Sequence, residues 1–357
     1  MSVDFILNGR GSGNMAQLLL NSGFDANALR PYIGNDGKHY TTVVQNGVAI
    51  PVPLVGNATA TLRKDEWRLL DEAVIRAAKP RLKVVSALRG AGLQYTIPNG
   101  MGKTIFEYET QSDITPAVAS MDGLAGGGHE DAPVYELAGL PLPIFSKKFS
   151  ISARQLAASR NGGSPLDTSN AELASRRVAE LAESFTLGKA DVYSFGGYSV
   201  YGLTNHPNRN TKTLTAPTAG GWAPSTLVSE VLNMKKKSQA DGYYGPWMLY
   251  NSPDWDEYLD NDYTLQGGNT TSKTLRNRLK EIDGITDCQT LDYLEDYDLV
   301  LVQMSSDVVR MVVGMEMQTI QWETHGGMMM HYMVMCIIVP QLRNDQDGNM
   351  GLVHGST

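Results

Sequence analysis

The chain has 357 residues, 42% of them hydrophobic and 19% charged, with a formal net charge of -8 and a pI near 5.3. That composition excludes a disordered chain, and its acidic balance argues against a dedicated nucleic-acid-binding module. Two cysteines, Cys288 and Cys336, neither in a CxxC pair, argue against a disulfide framework or a thiolate metal site and fit a reducing cytosol.

Met1 to Leu20 lacks a basic stretch followed by a continuous apolar one, so no secretory signal is read there. The longest apolar run, Met328 to Pro340, is interrupted by His331 and Tyr332 and is too short to cross a bilayer as a helix. The expectation is a protein that is soluble and intracellular when made.

Residues 1–60 are rich in Gly, Asn, Ala and Val, carry few charges and show no sustained period of 3.6 or 2. Such a segment cannot fold against itself, so an extended arm is expected, with turns at Asn46-Gly47 and extended chain around Pro51-Val52-Pro53. Leu62 to Ala78 reads as a helix: Leu70, Val74 and Ala77 recur at helical spacing, Asp65 and Glu66 suit its first turn, and Pro80 stops it. Between Thr61 and Arg89 eight Lys/Arg face four Asp/Glu, whereas Asp283 to Asp298 holds six acids and no base.

Lys103 to Thr110, Val134 to Leu137 and Ile144 to Ile151 are β-rich in residue type. Between the first two lies Gln111 to Pro133, with Gly123, Gly126, Gly127 and Gly128, so the segment predicts a long hairpin with a flexible tip. A helix is expected from near Ser169, whose Ser-Asn-Ala-Glu172 spacing fits a capping box. Ala174, Val178, Leu181, Phe185, Gly188 and Val192 then give one apolar face over roughly six turns, ended by Gly196-Gly197.

From 222 to 312 helix and strand signals alternate. Leu227, Val231 and Met234 mark a helix, Trp247 to Tyr250 a buried strand, and Ser252-Pro253 the start of a short helix holding Trp255 and Leu259. Leu275, Leu279 and Ile282 mark another helix and Leu299 to Met304 another buried strand, which together predict compact α/β structure. Met311 to Glu323 and Met328 to Leu342 read as two long strands separated at Gly326-Gly327, with a polar tail after Arg343.

Catalytic signals are weak throughout. No GxSxG elbow occurs, because Gly9-Arg-Gly-Ser-Gly13 has another order and lies in the arm. His129-Glu130-Asp131 is the one tight group of metal-ligand types, beside three glycines at a loop tip, where a polar loop is the simpler reading. His325 and His331 flank an expected turn and read as strand-end polar residues. Leu124-Ala-Gly-Gly-Gly-His129 has no Lys-Ser/Thr sequel and no helix behind it, so it is not a phosphate loop. Met304, Met311, Met315, Met317, Met328, Met329, Met330, Met333 and Met335 crowd the C-terminal part and suit a core or a plastic interface. No catalytic, cofactor-binding or metal residue is assigned.

The order of elements (arm, basic helix, long hairpin, long helix, α/β region, two return strands) resembles an α+β fold, the HK97-like capsid fold of tailed-phage major capsid proteins, shared with encapsulins. Leu140-Pro-Leu-Pro-Ile-Phe-Ser-Lys-Lys-Phe-Ser-Ile-Ser-Ala-Arg-Gln155 resembles the return of that fold's E-loop, and Gly202-Leu-Thr-Asn-His-Pro207 the turn after its spine helix. The resemblance implies an N-arm at 1–60, a first part of the P-domain at 61–91, an E-loop at 92–150, and P-domain with the spine helix (about 167–195) at 151–221. An A-domain at 222–310 and P-domain return strands with a C-terminal tail at 311–357 complete it.

The resemblance further implies a non-enzymatic subunit that builds hexamers and pentamers of an icosahedral shell, made in host cytoplasm and located in the virion. Packaged dsDNA, held without sequence preference and with the basic helix of 61–89 facing inward, a portal and a separate scaffold or decoration protein are the implied partners; no cofactor and no membrane are. Some members weld subunits through an E-loop lysine, but no lysine lies between Lys103 and Lys147, so covalent chainmail is not expected. An encapsulin shell around a cargo enzyme is the alternative, and an α/β enzyme with an unrecognised site a more remote one.

Overall fold

Two antiparallel strands of sixteen and fourteen residues form the backbone of the molecule. They appear in a computed structural model that describes residues 30–357 apart from 35, 46–47, 54–61, 112–132, 163–167, 265–269, 326–327 and 346. The turns expected at Asn46-Gly47 and Gly326-Gly327 and the hairpin tip lie outside the described residues.

In chain order the first part comprises strands β1 (Tyr32–Ile33), β2 (His39–Gln45) and β3 (Val48–Pro53), helices α1 (Lys64–Ala78) and α2 (Lys83–Gly90), and β4 (Gln94–Thr96). It continues through β5 (Ile105–Gln111), β6 (Tyr135–Pro141), β7 (Phe145–Ser152), α3 (Ala153–Gly162), α4 (Ser169–Leu187), β8 (Tyr193–Phe195) and β9 (Tyr198–Val200). The second part holds β10 (Asn210–Thr213), α5 (Pro224–Ala240), β11 (Trp247–Asn251), α6 (Asp256–Leu259), β12 (Asp262–Thr264), β13 (Thr270–Thr274), α7 (Leu275–Lys280), β14 (Ile285–Thr290) and β15 (Leu299–Gln303). The long strands β16 (Val309–Thr324) and β17 (Met329–Leu342) and a last strand β18 (Leu352–Ser356) close the order.

The arm is only partly as expected. β1, β2 and β3 pair into a small antiparallel sheet, so residues 32–53 do fold against themselves. The sheet is tied to α1: the Arg30 guanidinium lies 4.4 Å over the Trp67 ring and 2.6 Å from Asp71, and the Trp67 indole donates to the Pro31 carbonyl. Tertiary anchoring supplies what the local sequence lacks.

A four-stranded sheet, in the order β4-β16-β17-β7, carries helices on one face. Met311, Val313, Met330, Tyr332 and Val334 pack there with Leu70 and Val74 of α1, Val84 and Leu88 of α2, and Ala174 and Val178 of α4. Its other face, with Val312, Ile320, Met335 and Ile337, meets Leu140, Leu142 and Val200. β16 is irregular between Val313 and Gln318, and a 3-10 turn at Gly100–Gly102 docks on the irregularity. A Cβ on Gly100 would stand 2.3 Å from the Gly314 carbonyl oxygen, so glycine is required there.

Pro80 ends α1 as expected, yet the chain turns through Lys79–Arg81 straight into α2, which residue periodicity missed. No side chain of its own caps α2; instead Glu183, from the middle of α4, accepts the Val84 N–H at 2.7 Å. α4 is shorter than expected. Gly188 adopts a left-handed φ of 83° and closes the helix, well before Gly196-Gly197, which instead joins β8 to β9. Thr168, not Ser169, is the residue before the first turn, and its hydroxyl faces Glu172. The apolar stripe is rotated as well: Ala171, Ala174, Ser175, Val178 and Ala182 are buried, while Leu181 and Val192 are exposed. Small residues lie inward because α1 approaches closely enough for the Ser175 hydroxyl to reach the Val74 carbonyl at 2.6 Å.

The second sheet runs β10-β18-β15-β11-β14. Alternation assigns its two faces. Met248, Tyr250, Val300, Val302 and Leu352 join the core under α1, α2 and α4. Trp247, Leu249, Leu299, Leu301 and Val353 pack against Leu227 and Val231 of α5, Leu259 of α6 and Leu275 of α7. The polar tail expected after Arg343 is therefore corrected: Leu352–Ser356 is an interior strand, parallel to β10 and antiparallel to β15. Its short stretch Leu352-Val353 carries too few apolar residues to be read as a strand unless both neighbours are known.

Candidate functional site

The chemical candidates of the sequence come apart. Gly9–Gly13, Leu124–His129 and His129-Glu130-Asp131 lie outside the described residues. His325 and His331 both turn to the Thr324 hydroxyl, at 3.1 and 2.8 Å, and His331 stacks on Trp322. Among the described residues no group of three or more His, Cys, Asp or Glu could hold a metal, and no helix is long and apolar enough to cross a membrane. Burial pushes the Cys288 thiol up to about 11 and the Cys336 thiol up to about 12, so neither is a nucleophile near neutral pH. Met311, Met315, Met330 and Met335 are core residues, while Met328 is exposed.

Four of the eight cations of the basic stretch of 61–89 are paired with acids within the chain. Arg68 pairs with Glu72, Arg76 with Glu172, Lys83 with Asp292 and Arg89 with Glu316. Two polar groupings sit where the cores meet. Burial raises the Glu183 carboxyl to about 7 against the opposing hydrogen bonds from the α2 backbone. Asp298, at the head of β15, contacts Lys189 at 3.0 Å and His354 of β18 at 3.5 Å; burial opposes its ionisation, but these partners outweigh it and hold the carboxyl below its ordinary range.

The features without an intrachain explanation are exposed and apolar. β5 and β6 form a two-stranded ribbon, with Phe106 opposite Leu140 and Glu109 opposite Leu137. One face, with Phe106 and Tyr108, turns to the body and stacks from Tyr95 onward. The other presents Glu107, Glu109, Tyr135 and Leu137 to solvent, with Tyr135 58% and Leu137 55% exposed. At the ribbon's foot lies a cleft of about 250 Å³, walled by Leu142, Ile144, Tyr193, Phe195 and Ile337 with Lys103 among its residues. Ile144, Tyr193 and Phe195 are each at least 40% exposed. Sequence periodicity missed this cleft; the aromatic alternation Tyr193-Ser194-Phe195 is the one local signal of it.

This arrangement of a helix-backed sheet of long strands, a projecting ribbon, a long helix and a second three-layered α/β region is the HK97-like capsid fold. A virus-like particle from Pyrococcus furiosus superposes with a TM-score of 0.57 at 17% identity, covering 81% of this chain and 99% of that one. The capsid of Myoviridae phage XM1 gives 0.51 at 9% identity, covering 72% and 88%, and the capsid of a native GTA particle 0.52 at 10%, covering 74% and 88%. In sequence, the type 1 encapsulin shell protein EncA of Myxococcus xanthus is 26% identical over 201 residues, 56% of this chain and 64% of that protein. Residues 57–355 match the model described as a family of unknown function, DUF6260, and the chain belongs to that family.

Proposed function

We propose that this chain is the major capsid protein of a tailed phage, a structural subunit without catalytic activity that assembles into hexamers and pentamers of an icosahedral shell around dsDNA. The observation that carries the reading is the ribbon: its Tyr135 and Leu137 are exposed on a two-stranded element with no core of its own, on a body of capsid fold. A two-stranded ribbon is marginal in water by itself and gains its stability by lying on another surface.

In this reading residues 1–60 are the N-arm, 92–150 the E-loop, α4 the spine helix, and 222–310 the A-domain, which also takes in β10 and β18. A portal, a separate scaffold or decoration protein and the packaged DNA are the further partners, and the virion is the location. Arg68, Arg76, Lys83 and Arg89 carry acid partners, so genome contact through this stretch competes with exposed, weak ion pairs.

The encapsulin relative favours a second reading, a nanocompartment shell enclosing a cargo enzyme. Electron microscopy of the purified recombinant chain separates the cases. Closed shells or capsomers are expected. Nuclease-resistant DNA in particles from infected cells supports the phage reading, a co-purifying enzyme the encapsulin one, and a monomer under every assembly condition sinks both.

A further inference from the structure

Where β16 begins and β17 ends, two arginines stand near one another without an acid. Arg310 of β16 lies directly across from Gln341 of β17. Arg343 follows two residues on, its N–H donating to the Val308 carbonyl at 2.9 Å. Alternation puts Arg310, Gln341 and Arg343 on the sheet face that holds Val312 and Val339, away from the helices. Among the described residues neither guanidinium makes an ion pair. Asp307, a carboxylate whose charge reaches Arg310, stays out of pairing distance, and Asp345 is held by the N–H and amide of Asn349 at 2.6 and 2.8 Å.

The contacts these arginines do make leave most of their donors unused. Arg310 lies 5.3 Å over the Tyr95 ring of β4, and Arg343 6.0 Å over the Tyr108 ring of β5. A ring face attracts the cation but offers no oxygen lone pair. Arg310 Nε donates to Gln341 Oε1 at 3.1 Å, which orients the amide. Gln341 is fully buried, and its Nε2 has no acceptor. The three side chains act on one another and on one ring. Burial and then the Arg343 charge push the Arg310 guanidinium below its usual range. Burial raises the Tyr108 phenol, and Arg343, Gln341 and Arg310 all oppose that rise.

We infer that Arg310, Arg343 and the Gln341 amide form a binding site for a phosphate dianion, either inorganic phosphate or a terminal phosphoryl group. The inference goes beyond the shell reading and does not rest on it. Two like charges in half-buried surroundings repel, and a buried amide N–H without an acceptor is costly. One oxyanion answers both: it accepts in-plane bonds from the two guanidinium forks and a further bond from the amide. Two forks favour phosphate over a carboxylate, whose two oxygens a single fork already fills. They also favour a dianion over the singly charged phosphodiester of a nucleic-acid backbone. The bound anion would join β4, β5, β16 and the end of β17 at one point.

The test is calorimetry on the purified recombinant chain in whatever assembly it adopts, titrated with sodium phosphate at fixed ionic strength. Saturable binding in the millimolar range or tighter is expected, with a higher thermal midpoint in phosphate than in chloride. Arg310→Gln with Arg343→Gln is expected to abolish both effects. Arg343→Lys keeps the charge but loses the fork, and should weaken phosphate binding about ten-fold. Circular dichroism checks the fold of each variant. If the double variant does not fold, Arg343→Lys and the unmodified chain decide the matter. Absence of saturable phosphate binding by the unmodified chain overturns the assignment, as does undiminished affinity in folded Arg343→Lys. Acetate binding as tightly as phosphate would give the site to a carboxylate. Displacement of phosphate by a DNA duplex without terminal phosphates would give it to nucleic acid. Either result also overturns the assignment.

Discussion

The β10–β18–β15–β11–β14 sheet and the β5–β6 ribbon are both built of strands of similar length, yet they are stabilised in opposite ways. Every residue of β11, and Leu299 to Val302 of β15, is buried, because one face of the sheet closes the core under α4 and the other closes the core under α5 and α7. The ribbon is covered on one face and only at its foot on the other, leaving Tyr135 and Leu137 in water. The doubly covered sheet completes its burial within one chain; the ribbon leaves apolar residues on an open face.

Removing β18 should break the contrast most severely. Deletion of Leu352–Ser356 withdraws an interior strand from between β10 and β15 and strips both cores of apolar residues, so the chain is expected to lose its cooperative thermal transition by circular dichroism altogether. Single truncations sharpen it. Leu301→Ala should lower the unfolding free energy by about 3 kcal/mol in urea, while Leu137→Ala should change it by less than about 0.5 kcal/mol yet reduce shell yield. Equal effects of the two on the isolated chain would dissolve the distinction.

A smaller effect separates the regions by pH. Glu183 is buried where α2, α4 and β11 meet, and its carboxyl is raised from 4.5 to about 7. The folded state therefore binds its proton more tightly than the unfolded chain does. Stability from this group is greatest below pH 4.5 and is lost as pH rises through 7, at up to about 1.4 kcal/mol per pH unit. His206, buried and lowered to about 4, acts oppositely: its contribution is present above 6.5 and lost as pH falls towards 4. Comparing the unmodified chain with Glu183→Gln isolates the carboxyl, because the amide keeps an acceptor for the Val84 N–H but does not titrate. A difference in urea midpoint that does not vary between pH 5 and 7 would refute the effect. The smallest change is expected at Arg68→Ala, which breaks an exposed pair with Glu72 and should cost about 0.3 kcal/mol.

The buried strands Trp247–Asn251 and Leu299–Gln303, the long pair β16 and β17, and α5 were legible from residue type, because continuous apolar runs and helical spacing survive any tertiary context that buries them. So were the hairpin before the long helix and the order of elements that resembles a capsid fold. What the sequence determined by itself was the set of elements that must be buried and the lack of a recognisable catalytic constellation. The end of α4 at Gly188, the rotation of its buried face towards small residues, the folding of residues 32–53 on α1 and the use of Leu352–Ser356 as an interior strand were decided only by the tertiary structure. In each case the deciding partner lies far along the chain: Gly202 packs so tightly on Gly188 that an added Cβ would stand 2.1 Å from its nitrogen, Trp67 receives Arg30, and β10 and β15 flank β18. Local periodicity records how much a segment must bury, and the identity of what covers it is a long-range property that no window of the sequence contains.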